Sequence, residues 1–395
     1  IAQCLVGSEM CIRDRNRTHK KEGEPMYDLG NMDSMEKRLI QKAYIKQDPI
    51  NGSLELLPLC NMNCDMCYVR LSKTEMEQKG RLRTREEWIS LARQMKDAGT
   101  LFLLLTGGEP LLFPEFKELY KELQNMGMIL TINSNGTLIN EEWADFFAKH
   151  KPRRINITLY GADDQAYGKL CHYPAGFQKT VNAIRMLRDR EIDVKINGSI
   201  TSKNEEDIKK ILDIAKQYDA AVNLDTYMYP ASRERNKPFD EQSRMNPKDA
   251  AMAKVLIYKY QMGDIAFEEY RRAIINTIEQ YIPENYGYGR HISCLAGNCS
   301  FTINWQGMIR PCVMQSMPQV NVFDKGFLQG WETISNETKK ILINEACVSC
   351  RYRPICNTCA AAALLETGNY DGIPEYICEY TKEFYRIMKE GARIC

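Results

Sequence analysis

Six short apolar runs, separated by amphipathic stretches, constrain the fold of residues 53–227 more than any other feature. The runs are SLELLP (53–58), LFLLLT (101–106), MILTIN (128–133), RINITLY (154–160), DVKINGSI (193–200) and AAVNLDTY (220–227). Apolar residues at three- and four-residue spacing predict the intervening helices, over 85–99, 114–127, 140–150, 177–190 and 205–218. Residues suited to begin or end these helices are Pro114, Asn140, Gly99 and Gly127. The alternation predicts an α/β fold with a parallel sheet, either an incomplete barrel or an open doubly wound sheet.

Composition excludes several classes of function. Lys plus Arg number 53 and Asp plus Glu number 52, so no strong net charge draws the chain to nucleic acid or to acidic membranes. Apolar runs such as Leu101–Leu105 are too short to span a bilayer. We therefore expect a soluble, cytoplasmic protein without nucleic-acid or membrane partners.

The chain contains 15 cysteines, and no signal peptide is readable before residue 26. Without export, disulfides are not expected, so clustered cysteines indicate metal or redox chemistry. The first fifteen residues, IAQCLVGSEMCIRDR, resemble a translated sequencing adaptor. We exclude them, with Cys4 and Cys11, from the fold reasoning and expect the natural start at or near Met26.

Three cysteines follow the first apolar run as Cys60-x3-Cys64-x2-Cys67. In either type of parallel sheet this position lies at the edge where active sites form. Three thiolates can hold three irons of a cubane cluster and leave the fourth iron open to another ligand, whereas four would make only an electron carrier. The alternative is a zinc site that a distant His or Cys completes.

This loop and several later segments resemble the motifs of the radical SAM superfamily, each at the end of a predicted strand. The later segments are Thr106-Gly107-Gly108-Glu109-Pro110, similar to the family's GGEP motif, Asn133-Ser134-Asn135-Gly136, Thr158-Leu159-Tyr160-Gly161, Asn197-Gly198-Ser199 and Leu224-Asp225. The resemblance implies a partial (βα)6 TIM-like barrel. It also implies that a 4Fe-4S cluster on Cys60, Cys64 and Cys67 binds S-adenosylmethionine through its open iron.

The resemblance implies a pocket for S-adenosylmethionine lined by Met66, Tyr68, Gly107, Gly108, Glu109, Asn133, Asn135, Thr158, Asn197 and Leu224. The two glycines allow the backbone to approach the methionyl amino group. Two positions depart from the family's pattern. Met66 stands where an aromatic residue is usual, although a thioether can also cover an adenine face. Tyr160 stands where an Asp is common.

A second set of cysteines follows residue 290. By spacing alone, Cys347-x2-Cys350-x5-Cys356-x2-Cys359 fits two zinc knuckles as well as it fits iron-sulfur ligation. The whole pattern resembles the SPASM domain, which carries two auxiliary 4Fe-4S clusters. The resemblance assigns Cys294, Cys299, Cys312 and Cys359 to the first cluster, and Cys347, Cys350, Cys356 and Cys378 to the second. Two residues separate Cys356 from Cys359, where the family usually has three.

The predicted organisation is an adaptor-like segment (1–15), an N-terminal extension (16–50), a radical SAM core (51–240), a helical connector (241–290) and a SPASM domain (291–395). The polar segment 230–247 reads as a connector or lid. Too few credible residues precede the first strand for the winged-helix domain that recognises peptides in some relatives.

The resemblance implies an oxidoreductase or maturase. It would cleave S-adenosylmethionine to a 5′-deoxyadenosyl radical and remove hydrogen from a peptide or protein side chain, with flavodoxin or ferredoxin as electron donor. Rival functions are formylglycine formation on sulfatases, modification of a small molecule or peptide-derived cofactor, and a non-enzymatic electron carrier or zinc scaffold. In the sulfatase-maturing subfamily an Asp follows the third ligand of the first auxiliary cluster, but Val313 follows Cys312 here.

A few further residues near the predicted active edge allow two interpretations. His172 either faces substrate or is an ordinary packing residue. Residues after the sixth strand either bind substrate or pack a lid: Tyr227, Tyr229, Arg233 and Arg235. Cys171 and Cys395 are left without an assigned role and are expected to be inert.

Overall fold

The computed structural model describes residues 34–230, 243–283, 289–292 and 294–391. Its strands are β1 (Asn51–Glu55), β2 (Phe102–Thr106), β3 (Ile129–Ser134), β4 (Arg154–Thr158), β5 (Val194–Ser199), β6 (Ala221–Asp225), β7 (Ser300–Ile303), β8 (Met308–Arg310) and β9 (Val320–Asn321). The six strands predicted from the sequence are therefore present, each with its bounds shifted or shortened by a few residues.

The helices between β1 and β6 are α2 (Lys73–Lys79), α3 (Arg85–Asp97), α4 (Phe116–Asn125), α5 (Glu141–Lys149), α6 (Asp164–Cys171), α7 (Gly176–Arg188) and α8 (Ile208–Gln217), and α1 (Ser34–Lys46) precedes them. The later helices are α9 (Pro247–Glu279), α10 (Val322–Lys325), α11 (Phe327–Lys339), α12 (Glu345–Val348), α13 (Ala360–Thr367) and α14 (Glu375–Glu390). Helix α9 lies within the stretch predicted to be a helical connector and has a kink at Gly263, where φ is 74°. None of the described helices has the length and apolar character that crossing a bilayer requires.

Local sequence signals explain most helix ends. The Asn140 side chain caps α5 by accepting a hydrogen bond from the Trp143 amide, as predicted. Gly99 and Gly127 follow α3 and α4 with φ of 96° and 86°, a conformation that side chains rarely adopt. The start of α4 differs from the prediction, because Glu115 takes a left-handed conformation and the helix begins after it. Pro114 therefore lies outside the helix.

Strands β1 to β6 lie side by side in chain order and are all parallel. A doubly wound sheet would reverse this order at its switch point, so the topology is that of the incomplete barrel. The carboxyl ends of β1 to β6 then share one edge, where the cysteine loop and the other predicted motifs meet.

The sheet continues beyond β1 into the cysteine-rich part of the chain. Strand β7 pairs parallel to β1, with Asn51 opposite Ser300, and β8 and β9 add antiparallel strands. Gly307 lies in the hairpin turn between β7 and β8, with φ of 92°. At Gly52 an added Cβ would lie 2.5 Å from the Phe301 ring, so a glycine allows β1 and β7 to pack closely. One sheet thus spans both predicted domains.

The two faces of the β4–β6 region differ in chemistry. Ile157, Ile196 and Leu224 belong to the main hydrophobic core. Strand alternation places their neighbours Thr158, Asn197 and Asn223 on the opposite face, which we call the inner face. These three side chains are buried, and their positions pair in register across the strands. Buried polar groups need partners, so this face suits a polar ligand better than a packed apolar core.

Candidate functional site

The three-cysteine loop lies directly after β1 and offers hydrogen-bond donors to its sulfur atoms. Cys64 and Cys67 are buried and Cys60 is half-buried. The Met62 amide donates to Cys60 Sγ at 3.4 Å, and the Arg70 amide donates to Cys67 Sγ at 3.3 Å. Amide donors stabilise thiolates, which is the form that binds metal.

The protonation of the loop cysteines affects how they can bind a metal. Burial, followed by the charge of Glu109, raises the pKa of Cys60 well above its usual range. Cys60 therefore favours its protonated form, and a bound cationic centre would have to displace that proton. Within the described ranges, no three His, Cys, Asp or Glu side chains converge closely enough to hold a single metal ion.

Asp65, inside the cysteine loop, ties that loop to three other parts of the chain. Its carboxylate accepts hydrogen bonds from Lys203 Nζ at 2.6 Å, His172 Nε2 at 2.8 Å and Ser243 Oγ at 3.0 Å. Burial raises the pKa of Asp65, but the bonds from these three residues outweigh it and lower the pKa. His172 thus holds the cluster loop, which favours the packing interpretation of this residue. Asp65 and Lys203 had no sequence signature.

The Gly107-Gly108 turn after β2 packs against the backbone that leads into the cysteine loop. The Gly108 amide donates to Leu57 O at 2.7 Å, and the Glu109 amide donates to Leu59 O at 2.9 Å. An added Cβ at Gly107 would lie 2.5 Å from Leu57 O, and one at Gly108 would lie 2.1 Å from Leu59 O. In the structure, close approach between these two loops therefore requires the glycines.

Glu109 is fully buried and joins the β2 turn to the β3 turn. Its carboxylate accepts hydrogen bonds from Ser134 Oγ at 2.9 Å, the Asn135 amide at 2.8 Å and the Leu111 amide at 3.2 Å. Burial raises the pKa of Glu109 to about 7, although these hydrogen bonds oppose the shift. The carboxylate holds Asn135 in place.

Asn135 connects the β3 turn to the first cysteine. Its Nδ2 lies 2.9 Å from Asn61 Oδ1 and 3.7 Å from Cys60 Sγ. Asn133, two residues earlier on β3, accepts a hydrogen bond from Asn156 Nδ2 at 2.7 Å. The structure therefore brings Asn135, directly after β3, next to the cysteine loop, and it pairs Asn133 with β4.

The remaining predicted pocket residues divide between the two faces of the sheet. Thr158 and Asn197 lie on the inner face, whereas Leu224 lies on the core-facing side, where its side chain would contact a Cβ placed on Gly198 at 2.5 Å. The placement of Leu224 does not favour a cofactor contact by its side chain. Met66 and Tyr68 are buried in the main core beside the cysteines.

Cys171, which the sequence left without a role, is buried against the cysteine loop. Its backbone oxygen accepts the Asn63 amide at 3.0 Å. A hydrogen bond with Cys171, followed by burial, raises the pKa of Cys64 well above its usual range, while one with Tyr160 acts in the opposite direction. Tyr160, at the position where relatives often carry Asp, thus reaches a predicted cluster ligand.

The later cysteines affect one another's pKa within two sets, Cys294 with Cys299, Cys312 and Cys359, and Cys378 with Cys347, Cys350 and Cys356. Burial raises the pKa of Cys294 to about 12, and the charges of Cys312 and Cys359 add to it. Burial, followed by the charge of Cys294, raises the pKa of Cys299 well above its usual range. In the second set, burial raises the pKa of Cys378 to about 11. The charges of Cys356, Cys347 and Cys350 also raise it.

Tyrosines after β6 connect the active edge to the second set of cysteines. Tyr229 Oη lies 3.7 Å from Cys359 Sγ, and Tyr227 Oη donates to Glu366 Oε1 at 2.9 Å. The Cys359 charge, followed by burial, raises the pKa of Tyr229 well above its usual range. Arg244 pairs with Glu366, and neither residue carried a sequence signal. Arg233 and Arg235 lie outside the described residues.

Comparisons with known proteins agree with this geometry. Residues 54–215 match the family model described as Radical SAM superfamily. The AdoMet-dependent heme synthase of Methanosarcina barkeri is 25% identical over 331 residues, which cover 80% of this chain and 92% of that protein. The cysteine-type anaerobic sulfatase-maturating enzyme of Clostridium perfringens is 23% identical over 350 residues, covering 82% and 92%.

A solved structure shares the fold. The crystal structure of Streptococcus suis SuiB bound to the precursor peptide SuiA superposes with a TM-score of 0.61 and 18% identity, covering 92% of this chain and 84% of that chain. The predicted partial barrel with a cysteine-rich C-terminal region is thereby confirmed.

Proposed function

Because the chain belongs to the radical SAM superfamily and is a radical SAM enzyme, we propose that it is a maturase that removes hydrogen from a peptide or protein side chain. One observation carries this proposal. The cysteine loop, the Gly107-Gly108 turn and Asn135 meet at the carboxyl ends of the first three strands. Beside them lies a buried polar face suited to a polar cofactor.

When bound, the cluster and S-adenosylmethionine supply a 5′-deoxyadenosyl radical, while the protein orients and shields the reactants. Cys60, Cys64 and Cys67 would hold the cluster. Glu109 and Asn135 fix the geometry of the loops around it.

On the inner face, Asn133, Thr158 and Asn197 would bind the polar parts of the cofactor. Because these three side chains are buried, they would also keep water away from the bound cofactor. The radical can act only on a hydrogen held within van der Waals reach, so the substrate must enter at this edge.

The two later cysteine groups would each hold an auxiliary 4Fe-4S cluster, which gives three clusters in the chain. There they would supply either a redox centre for electron transfer or a direct binding site for substrate. Flavodoxin or ferredoxin would supply the electron that starts the reaction.

The peptide class is supported by SuiB, a structural neighbour bound to a precursor peptide. A second candidate is modification of a tetrapyrrole, because the match to the heme synthase covers 92% of that enzyme. Formylglycine formation is less favoured, because Val313 follows Cys312.

Turnover by the reduced, anaerobically reconstituted enzyme would separate these classes. Three substrates would be compared: synthetic peptides encoded beside the gene, a Cys-containing sulfatase peptide and an iron porphyrin. We expect a mass change in a gene-neighbour peptide, together with extra 5′-deoxyadenosine. Turnover of the porphyrin without any peptide would contradict the proposed substrate class.

A further inference from the structure

We propose that the Tyr229 hydroxyl donates a hydrogen bond to the Cys359 thiolate and thereby raises the reduction potential of the auxiliary cluster that Cys359 ligates. The inference rests on the proposed function, because Cys359 must be a cluster ligand. It makes Tyr229 a positioning residue that links the active edge to the second cysteine set.

The geometry of the pair carries the inference. Tyr229 follows β6, at the same edge as the cysteine loop, and its Oη lies 3.7 Å from Cys359 Sγ. A phenol keeps its proton at neutral pH, whereas a metal-bound thiolate offers only lone pairs. The hydroxyl is therefore the donor.

Neighbouring side chains fix both partners. The Tyr229 ring packs edge-on against Tyr227 with centroids 4.7 Å apart, and Tyr227 donates to Glu366 at the far end of α13. Arg244 pairs with Glu366 and stacks over the Tyr376 ring at 3.6 Å from its centroid. This network holds the helix that begins directly after Cys359.

Cys359 already receives one donor from that helix. Its Sγ caps α13 and accepts the Ala362 amide at 3.3 Å. Hydrogen bonds to cluster sulfurs and the positive end of a helix both favour the more negative, reduced cluster. The Tyr229 hydroxyl adds a second donor from another part of the fold, so removing it should lower the potential.

The test is a redox titration of the reconstituted holoenzyme followed by electron paramagnetic resonance. Tyr229→Phe removes only the hydroxyl. Tyr120→Phe is the matched control, because it removes the hydroxyl of another buried tyrosine, one that bonds to the His150 backbone oxygen and has no part in this network. We expect a lower midpoint potential for one cluster in Tyr229→Phe, no shift in Tyr120→Phe, and unchanged iron content in both.

An unchanged potential in Tyr229→Phe, or an equal shift in both variants, would overturn the inference. So would retention of full iron content in Cys359→Ala, because Cys359 would not then be a ligand, and so would loss of iron in Tyr229→Phe. Formation of 5′-deoxyadenosine by the wild-type enzyme is scored separately. Its absence would overturn the proposed function, whereas the potential shift depends only on the auxiliary cluster.

Discussion

At the scale of single residues, Gly108 shows how tightly the two central loops pack. An added Cβ would lie 2.1 Å from Leu59 O, a backbone atom that cannot rotate away. We expect Gly108→Ala to cost about 3 kcal/mol or more of stability and to reduce iron incorporation. Thermal unfolding and iron analysis would measure both effects.

Gly168→Ala is the matched control, because Gly168 lies inside α6 and its added Cβ would make only an ordinary contact, 3.4 Å from Pro174. We expect it to be neutral or slightly stabilising. Equal stability and equal iron incorporation in the two variants would show that loop packing does not depend on Gly108.

Glu109 predicts a pH dependence. Its pKa rises from 4.5 to about 7 on burial, so the folded state binds the proton more tightly than the unfolded state does. Its contribution to stability is therefore fully present below pH 4.5 and is lost as pH rises through 7, by about 3 kcal/mol. Melting temperatures between pH 5 and 8 should fall more steeply for wild type than for Glu109→Gln. Parallel curves would contradict this role of the carboxyl.

The sequence predicted the cysteines and glycines of the site but not how they are held. Their spacing is local and is typical of metal ligation and of close backbone approach. The bonds from Glu109 to Ser134 and Asn135, and the contact of Tyr160 with Cys64, join distant parts of the chain. Such contacts depend on tertiary packing, which periodicity does not encode.

At the scale of elements, Asp65 links the cysteine loop to α6 and to the turn after β5. We expect Asp65→Asn to lose about 2 kcal/mol of stability, because the bonds to Lys203 and His172 lose their charged acceptor. The cluster should also be lost faster on exposure to chelator. Asp213→Asn, which breaks an exposed pair with Lys209, should change neither property. Equal chelator rates in both variants would contradict a role for Asp65 in holding the loop.

The presence of strands β1 to β6 could be predicted from the sequence pattern, but their order and the length of the sheet could not. Alternation of apolar and amphipathic segments predicted β1 to β6, since each unit carries its own pattern. The pairing of β7 with β1 joins residues about 250 positions apart and has no local signal. Gly52 permits this pairing because the Phe301 ring leaves no room for a side chain there. That reason is visible in the structure but not in the sequence.

At the scale of the whole molecule, the cysteine groups predict the metal content. The three cysteine groups should bind about twelve irons per chain after anaerobic reconstitution. Replacing Cys347 or Cys378 should remove about four irons and block product formation while some cleavage of S-adenosylmethionine remains. About four irons in the wild-type chain would contradict auxiliary clusters in both later groups.

We infer that a cluster on Cys60, Cys64 and Cys67 cleaves S-adenosylmethionine. The most direct measurement is formation of 5′-deoxyadenosine by reduced enzyme supplied with S-adenosylmethionine, compared with a variant carrying Ala at all three cysteines. We predict 5′-deoxyadenosine and methionine from the wild type and none from the variant, with iron retained in the later groups. Equal amounts of 5′-deoxyadenosine from the two proteins would contradict the account.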